Sequence, residues 1–162
     1  MMDVVIDTNI LVSALLTPGR VRKTFLHPRI RPHAPKRVIV EALRHAGKIS
    51  RHIGISEEIL KPLLEQTLPV WVNIHEEEVI PQPVKEKAKK LVADTDPDDW
   101  PFIALAMHLN IPLWTGDKGL LKMSAETGFK QFIAVDTEGV EMLLRGDPLD
   151  SVLERMRGKY LG

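Results

Sequence analysis

Four acidic residues stand where apolar runs meet polar punctuation. Asp7 follows Val4-Val5-Ile6, and Asp117 follows Ile111-Pro112-Leu113-Trp114-Thr115. Glu41 interrupts Val38-Ile39-Val40-Glu41-Ala42-Leu43, and Asp99 opens the run that contains Phe102-Ile103-Ala104-Leu105-Ala106-Met107. A carboxylate in apolar surroundings is costly unless it is paired, hydrogen-bonded or bound to a metal. Four of them converging would make a divalent-cation site. Their oxygens are hard ligands suited to Mg²⁺ or Mn²⁺. Two such ions about 4 Å apart can activate water and stabilise the leaving oxygen of a phosphodiester. Cys is absent, which excludes disulfides, thiolate zinc sites and cysteine nucleophiles.

Each acid also has a plainer use. Asp7 could cap the helix that follows it. Glu41 has Arg37, Arg44 and His45 at i−4, i+3 and i+4, positions from which an ion pair forms on one helix face. Among Asp96, Asp98 and Asp99 at least one caps a helix, since Pro101 suits a first helical turn. Asp117, ahead of Lys118-Gly119, could serve turn chemistry. Taken singly, none decides the case.

The elements that would position these acids are short strands alternating with helices. Val4-Val5-Ile6 reads as a strand covered on both faces, and Ile10 to Leu16 as a helix halted by Thr17-Pro18-Gly19. Helices are expected from Arg22 to Leu26, from Lys36 to Ala46 (ended by Gly47), and from Ser56 to about Thr67. Arg31 to Pro35 reads as a short strand or loop, and Val70 to Ile74 as a strand. Pro83 to Val92 carries an amphipathic helix, and the loop 94–99 leads into a helix over Trp100 to Leu109. Ile111 to Thr115 and Gln131 to Val135 read as strands. Helices follow over Lys118 to Ala125, from Asp136-Thr137-Glu138 to about Arg145, and from Pro148 to Arg157. This alternation implies a parallel α/β sheet with helices on both faces. In such sheets ligands bind outside the C-terminal strand ends, where Asp7 and Asp117 are placed.

The formal net charge is zero, yet it is unevenly spread. Between Gly19 and Ile53 lie ten Lys/Arg, four His and one acid, Glu41; residues 54–162 hold 12 basic residues against 19 acids. A basic third on an acidic remainder suggests a polyanionic partner, most plausibly nucleic acid. The apolar stretch Ile10 to Leu16 is too short to span a bilayer. At 162 residues the chain reads as one domain, 1–162, and a cytoplasmic location is the expectation.

As a set, the motifs resemble the PIN domain, a family of metal-dependent nucleases. The matching pieces are Ile6-Asp7-Thr8-Asn9-Ile10, Val40-Glu41-Ala42-Leu43, Asp99-Trp100-Pro101-Phe102-Ile103-Ala104-Leu105-Ala106, and Leu113-Trp114-Thr115-Gly116-Asp117-Lys118. Their order covers about residues 2–135 and is similar to the prokaryotic branch that includes toxins of toxin–antitoxin systems. The resemblance implies a three-layer α/β/α fold with a short central parallel sheet. It implies that Asp7, Glu41, Asp99 and Asp117 coordinate Mg²⁺ or Mn²⁺, with Asp96 as an auxiliary ligand and Asn9 and Thr115 orienting the carboxylates. RNA would be hydrolysed by in-line attack of water, its backbone gripped by Arg20, Arg22, Lys23, Lys36, Arg37 and Arg44 of the basic segment. A homodimer and a small antitoxin partner are implied by the same resemblance.

Two other readings compete. A non-catalytic RNA-binding or regulatory module on the same fold would use the charge asymmetry equally well, and would bind RNA in a salt-sensitive way without turnover. A haloacid-dehalogenase-type phosphatase needs a second acid two residues after the first, where this chain has Asn9.

Overall fold

The computed structural model describes residues 1–162. The run Val4-Val5-Ile6 ends β1 (Met2–Ile6), and all three side chains are fully buried, as a strand sandwiched between helical layers requires. Four more strands join it in parallel: β2 (Ile30–Pro35), β3 (Asn73–His75), β4 (Leu113–Trp114) and β5 (Ala134–Val135). The sheet order is β3-β2-β1-β4-β5. The helices are α1 (Thr8–Leu16), α2 (Arg20–Phe25), α3 (Arg37–Arg44), α4 (Ala46–Ile53), α5 (Glu57–Trp71), α6 (Gln82–Val92), α7 (Trp100–Leu109), α8 (Lys118–Glu126), α9 (Thr137–Leu144) and α10 (Leu149–Leu161). The result is the three-layer α/β/α arrangement expected from the alternation. No helix is long and apolar enough to cross a membrane.

The sheet order locates the crevice. The chain steps outward from β1 to β2 to β3, then returns to lay β4 against the other edge of β1. The order therefore reverses between β1 and β4, and the two connections leave in opposite directions, which opens a gap above the C-terminal strand ends. Pairing of Ile6 with Trp114 sets Asp7 beside Thr115, one residue past each strand.

Helix α7 occupies the bounds expected for it and packs beneath β1 and β2. Pro101 to Ala106 are buried without a break. Pro101 costs the helix nothing, because a first-turn N–H has no intrahelical partner. The helix stops at Asn110, which takes the left-handed conformation (φ 54°) and returns its N–H to Ala106 and Met107 carbonyls. So α7 hangs Asp99 at its N-terminal end, level with the crevice.

Four expectations are corrected. Val70 to Ile74 is not a strand: α5 continues to Trp71 through Pro62 and Pro69, and only Asn73–His75 joins the sheet. The buried stripe Leu60, Leu64, Leu68 outweighs the roughly 3 kcal/mol disruption of an internal proline, and Val70 and Trp71 face outward. The helix expected over Lys36 to Ala46 breaks at His45, with Gly47 inside the next helix instead of ending the first. The strands expected over Ile111 to Thr115 and Gln131 to Val135 shrink to Leu113–Trp114 and Ala134–Val135, the second because the buried Ser124 hydroxyl donates to the Phe132 carbonyl and accepts from the Ala134 N–H.

Because α7 carries Asp99, its packing should control the crevice as well as stability. Leu105, fully buried, is expected to cost about 3 kcal/mol when changed to Ala, lowering the melting temperature by about 6–12 °C. A loss under about 1 kcal/mol by urea titration would contradict this packing.

Candidate metal centre

Asp7, Glu41, Asp99 and Asp117, named from four separate stretches of sequence, line one cavity of about 280 Å³ at the β1–β4 reversal. Thr8, Asn9, Arg44, His45, Asp96, Asp98 and Phe102 complete its walls. The acids reach it by different routes. Asp7 and Asp117 are both helix N-caps: Asp7 Oδ1 accepts from the Ile10 N–H (2.9 Å) and Asp117 Oδ1 from the Leu120 N–H (3.1 Å). Glu41 projects from α3, the helix that follows β2. Asp99 closes a 3₁₀ turn, Pro97–Asp99, that runs straight into α7. Capping and cavity lining are thus one arrangement, since a cap side chain sits at the mouth of its helix.

Two threonines hold the set in place. Thr115 is fully buried; its hydroxyl donates to Asp7 Oδ2 and accepts from the Asp117 N–H (3.0 Å). One hydroxyl thereby joins the first acid to the loop of the fourth. Thr8, also buried, donates to Glu41 Oε2 across 33 residues of sequence. The sequence reading missed Thr8, although it precedes Asn9 in Asp-Thr-Asn. Thr8 opens the first turn of α1, and its hydroxyl faces the same crevice as the cap. Asn9 lines the cavity and is exposed. Asp96 also lines it, with Oδ1 accepting from the Asp98 N–H (3.2 Å).

The electrostatics of the pocket are unbalanced. Burial pushes the Asp7 carboxyl up to about 6; its bonds from Thr115 and Ile10 oppose this, while the charges of Asp117 and Glu41 add to it. Burial also raises Asp99, to about 7, helped by the charges of Asp96, Asp117, Asp7 and Glu41. Asp136, the acid after β5, shows the alternative. Burial would raise it too, but hydrogen bonds from Lys159 (2.5 Å), Tyr160 (2.6 Å) and the Gly139 N–H hold it below the usual range. A strand-end aspartate with a cation is satisfied; Asp7 has only the Thr115 hydroxyl and the Ile10 N–H, and the Asp99 side chain accepts no hydrogen bond. The carboxylates that line the cavity are hard oxygen ligands, which fits Mg²⁺ or Mn²⁺. The acids nevertheless stand apart around the cavity: no three acidic or histidine side chains are arranged to close on one ion.

The basic segment divides in two. Lys36, Arg37 and Arg44 flank the acids on α3, and Arg37 approaches Asp98 at 4.0 Å. Arg20 and Arg22 are used elsewhere. Arg20 pairs with Glu141 on α9, and Arg22 donates to the Ala14 (2.7 Å) and Leu15 (3.0 Å) carbonyls, capping the end of α1. Lys23 is exposed on α2 and lines neither the acidic cavity nor its neighbour.

A family model for the PIN domain matches residues 5–145. The chain belongs to the PIN-domain family. A solved structure of VapBC2 from Rickettsia felis, bound to a DNA fragment from its promoter, matches 83% of this chain and 98% of that chain, with a TM-score of 0.58 and 14% identity. At that identity the likeness is one of fold. No curated protein matches the sequence.

Raised carboxyls take up protons on folding between about pH 4 and pH 7, so these two groups stabilise the native state at acid pH and cease to as pH rises through 6 to 7. Asp99→Asn is therefore expected to raise the melting temperature of metal-free protein by about 2–6 °C at pH 8 and by clearly less at pH 5, where only part of the penalty has accumulated. A fall at pH 8 would contradict the electrostatics. Thr115→Val should cost about 1–3 kcal/mol, since Asp7 Oδ2 loses its buried donor. Calorimetry at pH 8 tests both.

Proposed function

We propose that this protein is a metal-dependent endoribonuclease whose acids Asp7, Glu41, Asp99 and Asp117 hold Mg²⁺ or Mn²⁺, and that it acts as the toxin of a toxin–antitoxin pair. The single observation that carries the reading is the convergence of those four acids, without a compensating cation of their own, at the β1–β4 reversal of a PIN-family fold. Membership of the PIN family supports nuclease chemistry. The fold likeness to VapBC2 supports a small antitoxin partner, and the homodimer and cytoplasmic location belong to the same reading.

A bound divalent ion supplies positive charge that polarises a phosphodiester and acidifies water. The chain's own residues do the rest. Thr115 fixes Asp7 and the Asp117 loop, and Thr8 fixes Glu41, so two ligands arrive already oriented. Asp99 and Asp117 would complete the carboxylate set that holds the ion. Lys36, Arg37 and Arg44 would hold the RNA backbone by charge, which positions a strand without reading it. Asp96 would serve as an auxiliary ligand and Asn9 as a hydrogen-bonding neighbour.

The separation of the acids favours one competitor, a non-catalytic RNA-binding module of the same fold. Assay of single-stranded RNA with Mn²⁺ separates the two. The parent should cleave, and Asp7→Asn should lose at least 100-fold of the rate while keeping its fold; cleavage by the variant at the parent's rate would refute the assignment. Salt-sensitive binding with no turnover would favour the competitor. Independently, Mn²⁺ at 100 times its Kd should raise the melting temperature by about 5–10 °C at pH 8. The shift should be smaller at pH 5.5, where Asp7 and Asp99 hold protons that the ion must displace. An unchanged melting temperature at both pH values would count against the site.

A further inference from the structure

A second groove of about 360 Å³ runs beside the acidic cavity and shares Glu41 and Arg44 with it. One wall is the basic face of α3, with Lys36, Arg37 and Arg44. The other is the segment after β3, Glu76, Glu77 and Glu78. Lys36 joins the walls at one end, 3.4 Å from Glu76, and its N–H donates to the His75 carbonyl (2.9 Å). Glu77 and Glu78 take part in none of the ion pairs. Between the walls lies Val40, half-exposed although apolar.

We infer that this groove reads a nucleobase of the strand held at the acids, with guanine preferred. The inference rests on the ribonuclease reading above. The groove and the acidic cavity share Arg44 and Glu41, so a strand whose phosphate lies at the acids has a path past these residues into the groove. There its phosphates belong on the cationic wall, where Arg and Lys donate to phosphate oxygens. The carboxylate wall repels phosphate, so what faces it must donate hydrogen bonds. In single-stranded RNA the exposed donors are on the Watson–Crick edges of the bases. Guanine presents two adjacent donors, N1–H and the N2 amino group, which match the two oxygens of one carboxylate. Uracil presents one donor between two acceptors. Adenine and cytosine present an amino group beside a ring acceptor that a carboxylate repels. Val40 supplies the apolar floor on which a base plane can rest.

The test uses wild-type protein and the double variant Glu77→Ala/Glu78→Ala, whose exposed or half-exposed side chains can be removed without opening the core. Binding of labelled hexauridylates, with a single guanosine at each position in turn, is measured by fluorescence anisotropy in millimolar Ca²⁺, a hard divalent ion that would occupy the acids. The wild type is expected to bind one guanosine position about tenfold more tightly than hexauridylate. Inosine at that position, which lacks the N2 amino group, should lose most of the gain. The double variant should lose the preference while binding hexauridylate at least as well. Equal binding of all oligomers by the wild type, or an undiminished preference in the variant, would overturn the inference. Cleavage with Mn²⁺ is then mapped on the same oligomers. Cutting at a fixed distance from guanosine supports both readings. Cutting without base preference refutes the groove alone, and guanosine-selective binding without cutting refutes the nuclease alone.

Discussion

Buried negative charge without a cation is the constraint around which the molecule is arranged. Asp7 is nearly inaccessible and is answered by one hydroxyl and one backbone N–H, while half-buried Asp99 faces only other acids. An isolated ionised carboxylate in such surroundings is unfavourable by far more than a hydrogen bond returns. The native state meets this by holding protons on Asp7 and Asp99 to about pH 6 and 7, unless a divalent ion takes their place. The same fold shows that the burden is local. At the neighbouring strand end, Asp136 is equally close to helix N–H groups, but Lys159 and Tyr160 of the last helix satisfy it.

The parallel sheet creates this situation. Its strands point their C-termini the same way, so the helices after β1, β4 and β5 begin at the same edge and bring their aspartate caps there. Reversal of strand order between β1 and β4 leaves a gap that no connecting segment fills. Helix α3 lowers Glu41 into the gap from one side, and the turn before α7 raises Asp99 from the other. Thr115 and Thr8 then restrict where two of the acids can point. Tied by these hydroxyls, the acids line the gap without closing on a single point.

Much of this was legible from residue types. The continuous apolarity of Val4-Val5-Ile6 marked a doubly covered strand, and its following Asp marked the crevice. The apolar run after Asp99 gave α7 its bounds, because a helix buried all round has an unbroken apolar sequence. What failed did so for identifiable reasons. Alternation in Val70 to Ile74 mimicked a strand, while the buried stripe of Leu60, Leu64 and Leu68 carried the helix through Pro69. Ser124 replaced strand pairing by a side-chain hydroxyl that no local pattern announces. Charge counting groups Arg20 and Arg22 with the other cations, and it cannot see that one guanidinium also faces Glu141 and the other also caps α1. Thr8 went unnoticed because its partner, Glu41, is remote in sequence.

The most direct measurement is anomalous diffraction at the manganese edge from crystals equilibrated with Mn²⁺ at pH 8. The expected result is density for at least one ion within about 2.0–2.6 Å of a carboxylate oxygen of Asp7 and of at least one among Glu41, Asp99 and Asp117. Fully occupied manganese elsewhere on the surface, with these four side chains unmoved and none of them in contact with an ion, would contradict the metal centre.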